Sequence, residues 1–236
     1  MPVVLPALKP APPADSSDVA VIERAAADVL VDGVPSAAAE PGARKRPKPG
    51  ERRVQILQTL AAMLEEPGAE RITTAALAAR LEVSEAALYR HFASKAQMFE
   101  GLIEFIEASV FTLVRQITER EADGRVQAAR TLALLLQFGE KNPGMTRVMV
   151  GDALVFEHER LSARMNQFFD RIESQLRVSL RLAADAAGST TPTVDASVLA
   201  SVLVSFAQGR LQRYTRSGFK RSPAEHLDPA LALLLG

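Results

Sequence analysis

The residues whose types and spacing could do chemistry fall between Arg71 and Glu100, in the stretch RITTAALAARLEVSEAALYRHFASKAQMFE. Thr73 and Thr74 place two hydroxyls at the start of one short helical pattern. Ser84 and Glu85 start a second, which carries Tyr89, Arg90 and His91, and Lys95 falls in the first turn of a third. Hydroxyls and free N–H groups at helix N-termini, with cations around them, suit phosphate oxygens. Ala86 and Ala87 are small, so the second helix could come close to base edges. Glu85 fits either a cytosine amino group or the positive dipole end of its own helix. Tyr89 suits backbone contact or partial core packing. His91 suits a phosphate better than a catalytic role, because no nucleophile or carboxylate partner is suggested beside it. A lysine in a first turn opposes the helix dipole, and a phosphate contact would account for Lys95.

This is the chemistry of reading a duplex, not of making bonds. The chain has no Cys, which removes disulfides, thiolate metal sites and Cys nucleophiles. His91, His158 and His226 are scattered, and His158-Glu159 lacks the second His of a zinc-protease helix. No phosphate-loop, dinucleotide-binding or G-x-S-x-G pattern occurs. Glu157, Glu159 and Arg160 read as a solvated helix face. No catalytic residue, metal or cofactor is expected, and the chain is not expected to be an enzyme.

The elements that must position these residues are all helical. Val54, Ile56, Leu57, Leu60, Ala61 and Leu64 recur at helical spacing, and Pro67-Gly68 should stop that helix. Thr73 and Thr74 are N-cap candidates for the next, whose inner side would be Leu77, Ala78 and Leu81. Glu82-Val83-Ser84 makes the turn, and Ser84 caps a helix expected from Glu85 to about His91, with Leu88 and Phe92 facing inward. Ser94 with Gln97 forms a capping-box pattern. It opens a long helix through Met98, Leu102, Phe105, Ile106, Ser109, Leu113 and Ile117, ending near Asp123-Gly124. A helix to about Glu140 stops at Lys141-Asn142-Pro143-Gly144. A short one covers Met145 to Val150, and a long one Ala153 to about Ala187 with Leu154 on its apolar face. After a loop at 188–193, a helix starts near Thr193. Ser222-Pro223-Ala224-Glu225 is expected to start the last helix. No strand pattern of useful length appears, so the fold class is all-α.

Composition agrees. The chain has 236 residues, of which 47% are hydrophobic and only 5% aromatic, and Ala and Leu favour helix. No run of about 18 apolar residues exists, so no membrane span is expected. No secretory signal is expected either. Residues 1–47 are rich in Pro, Ala, Asp and Ser and read as a disordered tail. Net charge is zero, but Arg44, Lys45, Arg46, Lys48, Arg52 and Arg53 crowd the approach to the first helix. Local charge decides whether a phosphate backbone is attracted. These residues would form a basic arm or a solvated run.

The pattern T-x-x-L-A…V-S-x-x-x-L-Y-R-H-F-x-S-K resembles the DNA-binding domain of TetR-family regulators. That resemblance implies an all-helical, TetR-like homodimer. Residues 48–95 would be the helix-turn-helix domain, and residues 96–236 the dimerisation and partner-binding domain. Further runs, FGEKNPGMTRVMVGDALVFEHERLSARMNQFFDRIESQLR and RSGFKRSP, are similar to the nucleoid occlusion factors within that family.

What the second resemblance implies is specific. Such proteins bind palindromic double-stranded DNA on the chromosome. Bound there, they engage the C-terminal tail of the division GTPase FtsZ and antagonise its ring over the nucleoid. The expected DNA-binding residues are Arg52, Thr73, Thr74, Ser84, Glu85, Ala86, Tyr89, Arg90, His91 and Lys95. The expected partner-binding residues are Phe105, Leu134, Lys141 and Asn142. On sequence alone Phe105 and Leu134 read as ordinary core, and only the resemblance at FGEKNPG turns them to partner binding. Val198, Leu199, Val202, Leu203 and Phe206, paired with the Leu231–Leu235 helix, would build the dimer interface or else belong to the core of the subunit. The implied location is cytoplasmic and nucleoid-associated. The alternative is a ligand-responsive TetR-type repressor, which would need an enclosed cavity of about 300 Å³ or more in its C-terminal helices.

Overall fold

The computed structural model describes residues 51–66 and 71–236. The expected tail at 1–47, the arm residues Arg44, Lys45, Arg46 and Lys48, and the Pro67-Gly68 stop lie outside the described residues.

The described residues form an all-helical fold without strands. Helix α1 spans Glu51–Glu65, α2 Thr74–Arg80, α3 Glu85–Tyr89, α4 Lys95–Arg120 and α5 Gly124–Lys141. Helix α6 spans Pro143–Met149. A 3-10 turn follows at Asp152–Leu154, then α7 at Glu159–Ala186, α8 at Pro192–Arg216 and α9 at Leu227–Leu235.

Local chemistry sets most boundaries. The Thr73 hydroxyl accepts from Ala76 N–H at 3.1 Å, Ser84 from Ala87 N–H at 3.3 Å, and Ser94 from Gln97 N–H at 3.2 Å. The Gln97 side chain reaches back to Ala93 N–H at 2.8 Å, so the box closes one residue earlier than the pattern expects. Asp123 caps α5 by accepting from Arg125 and Val126. Between α2 and α3 the chain turns through Glu82, whose φ of 54° is left-handed. The Val83 N–H then donates back to Ala78 O at 3.0 Å, the bond that closes a helix end of this kind.

Three expected boundaries move. Helix α3 ends at Tyr89, because the Leu88 carbonyl accepts from both His91 and Phe92 N–H and tightens the last turn. The long helix expected from Ala153 begins only at Glu159, capped by His158 Nδ1, which accepts from Arg160 N–H at 3.2 Å. Gly151, at φ 86°, breaks the path, and Leu154 reaches the core from the 3-10 turn instead. The Ser222 hydroxyl accepts from Ala224 N–H at 3.2 Å but caps only a turn. His226, at φ 53°, interrupts the chain, and α9 starts after it.

Ile56, Leu60, Leu77, Leu88, Phe92, Phe99 and Leu102 are buried together around α1 to α4, continuous with the core of α4 to α9. Val54 is exposed, against its place in the expected apolar face. Gly144 closes the joint between α1 and α6. A Cβ there would sit 2.0 Å from the Ala61 carbonyl oxygen, so the two backbones touch only because the residue is glycine. Helix α4 contacts both α1 and α5, and α7 packs along α8. By length and composition α8 could cross a membrane, at mean hydropathy 1.2. Its Ala196, Ala200, Leu203, Val204 and Ala207 instead line the core of this bundle.

Candidate nucleic-acid interface

Helices α2 and α3, with the turn between them, present one continuous polar surface. Thr73, Ser84, Glu85, Ala86, Tyr89, Arg90 and His91 are exposed, and Thr74 is half-buried. Leu88 and Phe92 anchor this surface from below, each 1% exposed. The Thr74 hydroxyl donates to a Glu85 carboxylate oxygen at 2.5 Å, and the Tyr89 hydroxyl lies 3.5 Å from Thr74 Oγ1. These bonds fix α3 against the N-terminus of α2. Two of the residues expected at phosphate or base edges are therefore bonded to each other. Arg53 braces the far end: it donates to the His91 carbonyl at 3.1 Å and lies over the Phe92 ring at 4.2 Å. Arg52 donates to Gln55 at 2.7 Å on its own helix.

Lys95 does not point into solvent. Its ammonium pairs with Glu157, and it lies 5.7 Å from the Phe99 ring centre. The side chains are 27% and 9% exposed, so the pair is sheltered. Two further pairs continue along the same junction: Glu100–Arg160 at 2.7 Å and Glu107–Arg164 at 2.6 Å. The Glu107 hydrogen bond holds the Arg164 guanidinium above its usual range, against the effect of burial. Glu157 and Arg160 are thus partners of α4 rather than a plain solvated face. No local pattern could reveal this, because the partners lie far apart along the chain.

The expected partner-binding residues differ in burial. Phe105 is half-buried on α4 and Lys141 is exposed at the end of α5. Asn142 joins α5 to α6, its amide donating to the Phe138 carbonyl at 2.8 Å. Leu134 is 0% exposed in the core of α5, so the ordinary-core reading holds for it and a direct partner contact is corrected. The expected dimer residues also divide. Val198 and Val202 are 61% and 43% exposed and continue the line of Val194, whereas Leu203 is 0% exposed and packs inside its own subunit. Leu199 and Phe206 are half-buried. The Leu231–Leu235 segment packs on α5 yet leaves Leu233 86% exposed, and Val178 and Leu182 of α7 are exposed apolar residues as well. A partly open cavity of about 280 Å³ lies among Met149, Ser162, Met165, Asn166, Phe169 and Gln212.

Comparison with known proteins agrees with this architecture. Residues 56–102 match the bacterial regulatory proteins of the tetR family, and residues 122–235 match the tetracyclin repressor-like C-terminal domain. The fatty acid degradation regulator FadR from Bacillus halodurans has a TM-score of 0.68 at 14% identity, over 82% of this chain and 97% of that one. The regulator PfmR from Thermus thermophilus has a TM-score of 0.64 at 22% identity, over 77% of this chain and 97% of that one. These likenesses show the fold. Full-length sequence relatives are much nearer. The nucleoid occlusion factor SlmA of Photobacterium profundum is 54% identical over 184 residues, 78% of this chain and 93% of that protein. That of Idiomarina loihiensis is 53% identical over 177 residues, 75% of this chain and 90% of that protein. An all-helical chain with an exposed helix-turn-helix surface, matched at this level over almost the whole length of those relatives, belongs to the SlmA family of nucleoid occlusion factors, within the tetR family of bacterial regulatory proteins.

Proposed function

We propose that this protein is a homodimeric, sequence-specific DNA-binding factor that acts in the cytoplasm on the nucleoid. Each subunit sets its Ser84–Tyr89 segment into the major groove of one half-site. Thr73, Thr74, Arg90, His91 and Lys95 contact the flanking phosphates. Two-fold symmetry then calls for a palindromic site with half-sites about one helical turn or slightly more apart. Bound to such sites, the protein engages the FtsZ C-terminal tail through the surface around Phe105, Lys141 and Asn142, and restrains ring assembly over the nucleoid. Lys141 supplies a charge for an acidic residue of the tail without the bidentate fork of an arginine. Leu134 supports that surface from inside. The functional boundary falls at the start of α4, with residues 48–95 reading DNA and residues 96–236 serving dimer and partner. The role is regulatory and requires no bond chemistry.

The observation that carries this reading is the 54% identity to a nucleoid occlusion factor across 93% of its length. The exposed, internally braced Ser84–His91 surface supports the DNA-reading part. The rival, a ligand-responsive repressor, calls for an enclosed chamber of about 300 Å³ or more, whereas the cavity of about 280 Å³ beside Met149 and Gln212 is partly open. Selection of bound fragments from a random-sequence DNA pool tests the first step. An enriched palindrome is the expected result, and enrichment of no sequence would overturn it.

A further inference from the structure

The C-terminal end of α8 and the turn after it carry a concentration of cations that DNA reading does not use. Residues 210–221, RLQRYTRSGFKR, hold five basic residues and no acidic one. Arg213 and Arg221 share a single carboxylate, Glu225, at 3.7 and 3.6 Å. Arg147 joins from α6, its guanidinium 5.2 Å from the Phe219 ring centre. Arg216 and Lys220 are exposed. Positive charge therefore exceeds what Glu225 can neutralise. Arg210 registers the excess: burial first, then the charges of Arg213 and Arg221, hold its guanidinium below the usual range.

This surface is rigid. Gly218, at φ 62°, ends α8 by letting Phe219 N–H return to the Tyr214 carbonyl at 3.0 Å, and the two rings meet edge-on at 5.2 Å. The Ser217 hydroxyl accepts from the N–H groups of Lys220 and Arg221 at 3.1 and 3.0 Å. A run of charge in a mobile loop loses much of its attraction to ordering, and this one is already ordered.

Its position adjoins the proposed partner corner. The Tyr214 hydroxyl donates to the Glu140 carbonyl at 3.0 Å, beside Lys141 and Asn142. The Thr215 hydroxyl donates to Asp152 at 3.1 Å. Exposed guanidinium groups beside the Phe219 ring suit a peptide with acidic and apolar residues.

We propose that Arg147, Arg213, Arg216, Lys220 and Arg221 form a docking surface for an acidic peptide segment, adjoining the Lys141–Asn142 corner and extending the partner site. The proposal rests on the partner-binding reading above and takes the acidic segment to belong to the same division partner.

Fluorescence anisotropy at low salt tests it with three labelled probes: the FtsZ C-terminal tail peptide, the same peptide with a glutamate-rich extension, and a glutamate-only peptide. Wild-type protein should bind the extended tail roughly tenfold more tightly than the plain one. The double variant Arg216→Glu/Lys220→Glu should lose that gain and the glutamate-only binding, while keeping the plain tail and palindromic DNA. An equal gain in wild type and variant would overturn the proposal. Lost DNA affinity in the variant would overturn it too, by assigning the patch to phosphate. If the plain tail binds neither protein, with palindromic DNA present or absent, the division-partner reading fails on its own. The glutamate-only probe then decides the patch: binding by wild type and not by the variant supports it, and equal or no binding overturns it.

Discussion

The ammonium of Lys95, in the first turn of α4, is ion-paired with Glu157, which lies between the 3-10 turn and α7. This places the cation best situated to grip phosphate against an internal carboxylate. In the proposed DNA complex, phosphate and Glu157 would compete for one charge. Glu100–Arg160 and Glu107–Arg164 continue the same contact along α4, joining it to the first turns of α7.

Two substitutions separate the roles. Lys95→Ala should weaken binding to every DNA sequence and reduce the salt slope by about one phosphate contact. Glu157→Gln should tighten binding about two- to fivefold, because an exposed or partly sheltered pair contributes up to about 1 kcal/mol. Filter-binding titrations across a salt series measure both. A Glu157→Gln protein with unchanged affinity, beside a weakened Lys95→Ala protein, would exclude the competition.

Glu85 should act on sequence preference and Thr73 on affinity. Glu85→Gln keeps the side-chain size and an acceptor for the Thr74 hydroxyl but removes the charge. It should shift the preferred base at one position of each half-site, by about 1–3 kcal/mol of discrimination. Thr73→Ala should weaken all sites alike, and should cost about 1 kcal/mol of stability through the lost helix cap. Repeated selection from a random pool reads the difference. An unchanged preference in Glu85→Gln would leave Glu85 as a partner of its helix dipole only.

Gly144→Ala should destabilise the fold by about 2 kcal/mol or more, because the added Cβ meets the Ala61 carbonyl oxygen at 2.0 Å. Displacing α1 should also loosen the recognition surface, so DNA affinity should fall together with Tm. Calorimetry showing an unchanged Tm would mean that the α1–α6 joint yields without cost.

The dimer face should split by burial. Val198→Glu, on the exposed stripe, should give folded monomers in analytical ultracentrifugation. Leu203→Glu should unfold the subunit instead, because it places a charge in the core. A Val198→Glu protein that remains dimeric would move the interface elsewhere.

Much of this fold is legible in the chain because its signals are local. Thr73, Ser84 and Ser94 each bond an N–H within three residues, and a pattern of cap and apolar spacing suffices to find them. Leu134 and Leu203 are not separable from surface neighbours by sequence, since a helix face names the inward side only once its packing partner is known. Apolar spacing misplaces Leu154 for a similar reason: Gly151 turns left-handed there, and nothing in the spacing registers it. The Lys95–Glu157 pair joins residues with sequence separation 62, and only the folded chain brings them together.

The central claim is that DNA-bound protein receives the FtsZ tail. Its most direct test is an anisotropy titration of labelled FtsZ C-terminal tail peptide, run with and without the selected palindromic DNA. Saturable binding in the presence of the palindrome, weakened by Lys141→Glu and by Phe105→Ala, is the result this account predicts. No binding in either state would contradict it, and would leave a tetR-family DNA reader whose partner lies elsewhere.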